Sequence, residues 1–193
     1  MPRTAPPLLL ALLAATAGAG ALESSAGALA QGPHSLTGVR APGPAPSWKN
    51  ASWLNADAPL TLEGLRGRVV LLNFWVFTCG NCTRTVPSLV DFDRRYRSRG
   101  LTLIGIHTPE FPPWGGEHDR ANVERALREY GIGYPNAQDN DNRTWDLYRI
   151  RYWPSFVLID KRGRIRYEGY GEFHLNDGMY ALWDRRIREL LEE

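Results

Sequence analysis

Cysteine is scarce in this sequence: two cysteines occur among 193 residues. Two cysteines cannot form the several cross-links that hold a disulfide-rich scaffold together. The two cysteines and four histidines also show no recognisable zinc-ligand spacing. The sequence therefore excludes a disulfide scaffold, and we expect neither a metal site nor a bound cofactor. The cysteines, Cys79 and Cys82, lie close together in the chain and are best interpreted as a pair.

A marked excess of positive charge is also absent. Lys and Arg number 23 and Asp and Glu number 21, which gives a formal net charge of +2. Domains that bind nucleic acid usually concentrate positive charge on one face, so we expect no nucleic-acid partner. The length of 193 residues, 43% of them hydrophobic, suits one globular domain and is too short for two of full size.

The longest apolar run is too short to cross a bilayer. It extends over fifteen mostly apolar residues from Leu8 to Leu22, follows Arg3, and leads into small residues that end at Ala30. A membrane span needs roughly 20 apolar residues, whereas this layout is typical of a secretory signal peptide. We expect residues 1–30 to be a signal peptide cleaved after Ala30, with export to the periplasm or another extracytoplasmic compartment. An uncleaved segment would retain the protein at the membrane.

Residues 31–47 are rich in proline and glycine and lack apolar periodicity, which predicts an extended linker before a domain over 48–193. Within that domain, apolar runs and helical spacings alternate, and they end in a hairpin and a closing helix. The pattern predicts an α/β fold with a central mixed sheet. The expected strands are Val69–Phe74, Leu101–His107, Phe156–Asp160 and Ile165–Tyr170, and the expected helices cover 81–98, 120–130, 142–149 and 179–191.

The chemistry is predicted at the motif Cys79-Gly80-Asn81-Cys82, which follows a buried strand and opens a helix. A thiol at a helix N-terminus meets unpaired N–H groups, which stabilise its thiolate. The second sulfur, one turn later, can resolve a mixed disulfide formed at the first. Two other interpretations are a structural disulfide and half of an intermolecular metal site. A loop of four residues adds little stability when it is closed, which weakens the first of them.

The motifs together resemble the thioredoxin-like superfamily, and more narrowly its exported TlpA-type and DipZ-type redoxin domains. The resemblance covers about residues 48–192. It is carried by Leu65–Trp75, the cysteine motif, Pro87, Trp53–Asn55, Pro59–Leu62, His107–Phe111 and Tyr152–Pro154. It implies a central mixed sheet with helices on both faces, Cys79 as nucleophile and Cys82 as resolving thiol. It further implies a cis bond between Trp153 and Pro154 that faces the cysteines, with the Trp153 backbone pairing with an extended substrate.

The sequence departs from the superfamily at two positions near the cysteines. Asn73 occupies the position where thioredoxins have a buried aspartate, and Thr78 precedes the first cysteine where many relatives have tryptophan. An amide cannot accept the proton of Cys82. Glu110, just after a predicted strand, is a candidate replacement if it folds over the cysteines, because a carboxylate with a raised pKa can serve as a base. A solvent-exposed loop position is the alternative.

The expected function is that of an exported thiol–disulfide oxidoreductase acting on protein cysteines. The expected partners are protein thiols and disulfides, with a membrane electron donor or acceptor as a further class, and we expect a monomer. Two alternatives remain open. One is a thiol peroxidase in which Cys79 attacks a hydroperoxide, and the other is a non-catalytic binding module with the thioredoxin fold. The motif is shared by oxidants and reductants, so it does not fix the direction of exchange.

Overall fold

A computed structural model gives the fold and describes residues 1–2 and 43–193. Residues 3–30 of the expected signal peptide, its cleavage site after Ala30, and the expected linker up to residue 42 lie outside the described residues. Residues 43–193 are part of one compact unit, Gln31–Glu193. No helix among its described residues has the length and apolar character needed to traverse a bilayer.

The fold is built around strand β2, Val69–Trp75, in which every residue is buried. A continuous apolar run of this kind suits a strand covered on both faces. It pairs in parallel with β3, Leu101–His107, and in antiparallel with β5, Ser155–Ile159. The remaining strands are β1 (Trp53–Leu54), β4 (Asn136–Gln138) and β6 (Ile165–Tyr170), and the six form one mixed sheet in the order β1-β4-β3-β2-β5-β6.

Four α-helices accompany the sheet: α1 (Gly80–Tyr96), α2 (Arg120–Glu129), α3 (Arg143–Leu147) and α4 (Gly178–Glu192). Helix α1 contains Pro87 and ends in a short 3-10 turn before Gly100. The backbone of Gly100 has φ 107°, a region that glycine enters without the steric cost other residues meet. These helices match the elements expected from the apolar spacing.

Hydrophobic residues cover both faces of the sheet. Alternate residues of β2 divide between two clusters: Leu71 and Trp75 belong to one, and Leu72 and Phe74 to the other. The first cluster includes side chains of α1, α2 and α4, whereas the second includes Tyr148 just after α3 and residues from the segment before β2. The expected α/β fold with helices on both faces is confirmed.

The domain begins earlier than expected, because residues 43–47 belong to it rather than to the linker. The Ala45 N–H donates to Gly163 O at 2.9 Å, and the Ile165 N–H donates to Gly43 O at 3.0 Å. This short segment therefore pairs with the start of β6 at the edge of the sheet. An edge position tolerates proline, which is why a proline-rich stretch fits there.

The register of the strands brings several loops to one edge of the sheet. Trp75 is paired with His107, and His107 with Gln138, so β2, β3 and β4 end together. Ser155 is paired with both Phe74 and Tyr170, so β5 starts and β6 ends at that same edge. The loops over 76–79, 108–119, 139–154 and 171–177 therefore share this edge, which we call the cysteine end of the sheet.

Candidate active site

The two cysteines occupy different environments at the start of α1. Cys79 is the N-cap residue, and its sulfur accepts a hydrogen bond from the Cys82 N–H at 3.3 Å. Cys79 is half-buried, whereas Cys82 lies in the first turn and is 2% exposed. Both are free thiols. The chain therefore presents one sulfur toward solvent and holds the other beneath it.

The surroundings move the pKa values of the two thiols in opposite directions. The hydrogen bond from the Cys82 thiol, followed by the N–H groups of Cys82 and Asn81, lowers the pKa of Cys79 from 9.0 to about 7, against the opposing effects of burial and the Glu110 charge. Burial first, and then the hydrogen bond and charge of Cys79, raise the pKa of Cys82 far above its ordinary value. Cys79 is thus substantially a thiolate near neutral pH, while Cys82 keeps its proton.

The loop before β5 contains the predicted Trp153-Pro154 bond, which is cis as expected. The Trp153 indole N–H donates to Thr108 O at 3.2 Å, and its ring stacks on Trp145 with the centroids 4.1 Å apart. The Pro154 carbonyl accepts the Gly171 N–H at 2.9 Å. Within the described part of the chain, the backbone N–H and C=O of Trp153 have no backbone partner.

A buried carboxylate that the sequence did not reveal fastens the neighbouring loop to the cysteine motif. Glu117 is fully buried, and its Oε1 accepts the hydroxyl hydrogen bond of Thr78, the residue before Cys79. Its Oε2 accepts the N–H groups of Glu110 at 2.7 Å and Phe111 at 2.8 Å. One side chain thereby ties the 108–119 loop to the residue that precedes Cys79. Thr78, noted as a departure from relatives, was the only sequence signal for this contact.

Glu110 lies on the surface of that loop. It is exposed, and its carboxylate forms no hydrogen bond with either sulfur in the described structure. Its negative charge nevertheless raises the pKa of both Cys79 and Cys82, which places it within electrostatic reach of the pair. The proposed role of Glu110 in proton transfer stays a prediction.

Two further polar residues underlie the site. Asn73, on β2, is 2% exposed, so the buried position that holds an acid in thioredoxins carries an amide here. His107, the last residue of β3, is fully buried and packs between two rings: it stacks on Phe77 at 5.4 Å and meets Trp75 edge-on at 5.3 Å. Burial lowers the pKa of His107 from 6.5 to about 3, so it is neutral at physiological pH. Residues 43–193 contain no cluster of three or more His, Cys, Asp or Glu arranged to hold a metal.

The fold and the cysteine pair together define a thioredoxin-like redox domain with one half-buried thiol of lowered pKa and one buried thiol. The chain belongs to the AhpC/TSA family, whose sequence model matches residues 43–168. It is 40% identical over 154 residues to the protein DipZ of Mycobacterium bovis, covering 78% of this chain but 21% of DipZ. The chain thus corresponds to about a fifth of that relative.

Two other comparisons extend over different shares of the chain. The thiol-disulfide oxidoreductase ResA of Halalkalibacterium halodurans is 29% identical over 106 residues, which are 55% of this chain and 56% of ResA. The crystal structure of a thioredoxin-like superfamily protein superposes with a TM-score of 0.69 at 27% identity, over 78% of this chain and 97% of that one. The expected resemblance to thioredoxin-like redoxin domains is confirmed.

The Glu117 contacts predict a stability effect. Replacing Glu117 by glutamine should lower the free energy of unfolding by about 2 to 3 kcal/mol, because the side chain is buried and an amide retains only one acceptor oxygen for its three donors. Urea unfolding of the reduced protein measures the change. Glu124→Gln is the matched control, since Glu124 forms an exposed pair with Arg120 on α2 and should change stability by about 1 kcal/mol or less. Equal effects of the two substitutions would contradict the assigned role of Glu117.

Proposed function

We propose that this protein is a thiol–disulfide oxidoreductase that exchanges disulfides with cysteines of partner proteins through Cys79 and Cys82. The observation that carries the proposal is the division between a half-buried thiol with a lowered pKa at the helix N-terminus and a buried thiol with a raised pKa one turn later. Exchange needs a thiolate to attack and a second thiol held within reach of the resulting mixed disulfide. The name of the relative ResA supports the same activity.

The steps follow from the positions of the two sulfurs. The Cys79 thiolate attacks one sulfur of a partner disulfide, forms a new S–S bond with it, and releases the other partner sulfur as a thiolate that takes up a proton. Cys82 then loses its proton and attacks the Cys79 sulfur, and the second partner sulfur leaves. The partner gains two electrons, and Cys79 and Cys82 become a disulfide. The same steps run in reverse when the pair starts oxidised.

The surrounding loops give the partner a place to bind. Trp153 and Pro154 share the cysteine end of the sheet with Cys79, and the free backbone groups of Trp153 can pair with an extended partner segment. Export is a further part of the proposal and depends on the composition of residues 1–30. In an extracytoplasmic compartment the partners would be protein thiols and disulfides, with a membrane electron donor or acceptor to restore the pair.

Parallel assays on one sample test the function. The reduced protein should reduce a disulfide-bonded protein substrate rapidly and consume hydroperoxide slowly by comparison. Faster peroxide consumption would identify the protein as a thiol peroxidase. Inactivity in both assays would favour the non-catalytic binding module instead. A measured reduction potential then decides whether the pair acts as oxidant or reductant in its compartment.

Glu110 provides a test of proton transfer at the pair. Replacing Glu110 by glutamine removes a negative charge that raises both thiol pKa values, so the pH midpoint of Cys79 alkylation should move to lower pH. If Glu110 also accepts the Cys82 proton, turnover should slow and its pH dependence should flatten. A lowered alkylation midpoint with unchanged turnover across pH would limit Glu110 to an electrostatic effect.

A further inference from the structure

Exposed apolar side chains concentrate at the cysteine end of the sheet. Apart from Met1, the large hydrophobic residues exposed in the described chain are Phe111, Leu147, Tyr152 and Leu175. Phe111 and Leu175 lie in the 108–119 and 171–177 loops, and the other two lie in the 139–154 segment. Exposed apolar side chains grouped at one end are typical of a surface that contacts other proteins.

A cleft of about 280 Å³ opens beside the Trp153-Pro154 loop. The segment from Tyr148 to Tyr152 forms one wall, and residues of β5 and β6 form the other. Tyr152 and Tyr170 face each other across its rim with ring centroids 4.9 Å apart. The volume is at the lower limit of small-molecule pockets, so it suits one or two side chains of a partner better than a cofactor.

Two unpaired cations stand on the wall of this cleft. Arg149 and Arg151 are exposed, and neither forms an ion pair within residues 43–193. Two other exposed arginines are compensated: Arg84 pairs with Glu172, and Arg143 pairs with Asp141. The opposite wall contains Glu168, which is partly buried and takes part in an interaction of its own. Arg149 and Arg151 therefore give the Tyr148–Tyr152 wall two positive charges.

Arg149 has an uncommon backbone conformation at the end of α3. Four non-glycine residues in the described chain have positive φ, and three of them are asparagines, which tolerate that region well. The fourth is Arg149, with φ 56°. Arg149 follows Tyr148, the C-cap of α3, and the Ile150 N–H donates to Trp145 O at 3.0 Å, so this conformation ends the helix and fixes where Arg149 lies on the cleft wall.

We propose that the Tyr148–Tyr152 wall, through Arg149 and Arg151, selects partner proteins whose reactive cysteine is flanked by acidic residues. This inference rests on the proposed function and names its substrate class. The partner segment would pair with the Trp153 backbone, place its acidic side chains against Arg149 and Arg151, and insert a neighbouring side chain into the cleft. Charge pairs at an exposed rim act mainly on association and on discrimination between partners, so kcat/KM is the quantity they should change.

Disulfide-linked peptides that differ only beside the cysteine test the proposal. One set has two acidic residues before or after the cysteine, a second has the corresponding amides, and a third has lysines. The wild-type protein should reduce an acidic peptide with a kcat/KM about threefold above the amide peptide and about tenfold above the lysine peptide, as expected for exposed charge pairs. The preference should decrease at high salt.

Substitutions of Arg149 and Arg151 test whether these two side chains cause the preference for acidic peptides. Arg149→Asn combined with Arg151→Gln should remove it, and asparagine is compatible with the positive φ at position 149. Arg149→Asn combined with Arg151→Glu should reverse it toward the lysine peptide. Arg162→Gln is the matched control, because Arg162 is an exposed arginine in the turn at the opposite end of the sheet and its replacement should leave the preference unchanged.

A small neutral disulfide, 2-hydroxyethyl disulfide, separates the two ways in which the experiment can fail. If the wild-type protein reduces neither this compound nor any peptide, the proposed function is wrong. If it reduces them all but shows no acidic preference, only the acidic selectivity is overturned. Equal slowing of the arginine variants on the small disulfide and the acidic peptide would also overturn it, since docking contacts should not affect a compound too small to reach them.

Discussion

Replacing Cys79 by serine should abolish disulfide exchange, whereas replacing Cys82 by serine should produce a protein that accumulates mixed disulfides with its partners. Cys79 is half-exposed and has a pKa of about 7, so in the proposed mechanism it supplies the attacking thiolate, and its loss should reduce turnover by roughly three orders of magnitude or more. Cys82 is buried and acts second in the proposed mechanism, so its loss should stop the reaction after the first S–S bond has formed. Non-reducing gels of exchange mixtures measure the trapped complexes.

The choice of substituent at Cys82 adds a control. Serine keeps a hydroxyl that can donate to the Cys79 sulfur, whereas alanine removes the donor that contributes most to lowering the pKa of Cys79. Both variants should trap complexes, but the pH midpoint of Cys79 alkylation should lie higher in Cys82→Ala than in Cys82→Ser. Trapping by Cys79→Ser in place of the Cys82 variants would reverse the assigned roles.

Acidification from pH 7 to pH 4.5 should destabilise the protein by about 3 kcal/mol through His107 alone. The unfolded chain protonates this histidine below its ordinary pKa of 6.5, whereas burial keeps the folded pKa at about 3. The contribution of neutral His107 to stability is therefore complete above pH 6.5 and is lost as the pH falls toward 3, at about 1.4 kcal/mol per pH unit. Urea unfolding at the two pH values measures the loss.

Comparison with variants isolates the histidine from the other titrating groups. His107→Phe keeps an aromatic ring between Trp75 and Phe77, and the free energy of unfolding of this variant should depend on pH less than that of the wild type by about 3 kcal/mol over this interval. His174→Gln is the control, because His174 is exposed and pairs with Glu172. The same acid sensitivity in wild type and His107→Phe would show that His107 is not the cause.

The parts of the fold that the sequence predicted are those with strong local signals. The apolar runs of β2 and β3 and the helical spacing of α1 each depend on residues within a few positions, so the pattern can be recognised without tertiary information. The cysteine motif was equally clear, because its position between a strand and a helix places a thiol at the unpaired N–H groups of a helix N-terminus. The cis bond before Pro154 was expected only from family resemblance, since local preference favours trans.

The parts that were missed depend on distant partners. Strand β4 is Asn-Ala-Gln, a polar triplet with low strand propensity, yet all three residues are buried. Asn136 accepts the Trp75 indole N–H at 2.9 Å and donates to Tyr134 O, and Gln138 accepts the Ser52 hydroxyl at 2.7 Å. These contacts satisfy the buried amides, but their partners lie up to 86 positions away in the chain. Glu117 was missed for the same reason, because its partner Thr78 is 39 positions distant.

The pairing of residue 43 with the start of β6 has a geometric consequence for how the domain can be tethered. Gly43 receives the Ile165 N–H at the end of the sheet opposite the cysteines. The last helix returns to that same end, where the Lys161 ammonium donates to Leu191 O at 2.7 Å and Arg166 pairs with Glu193 at 2.7 Å. Residue 43 and the C-terminus of the described domain therefore both lie at one end of the sheet, and the sulfurs of Cys79 and Cys82 lie at the other end. Attachment of the domain to a surface or a fusion partner at residue 43 or at Glu193 should therefore leave Cys79 directed toward the surrounding solution.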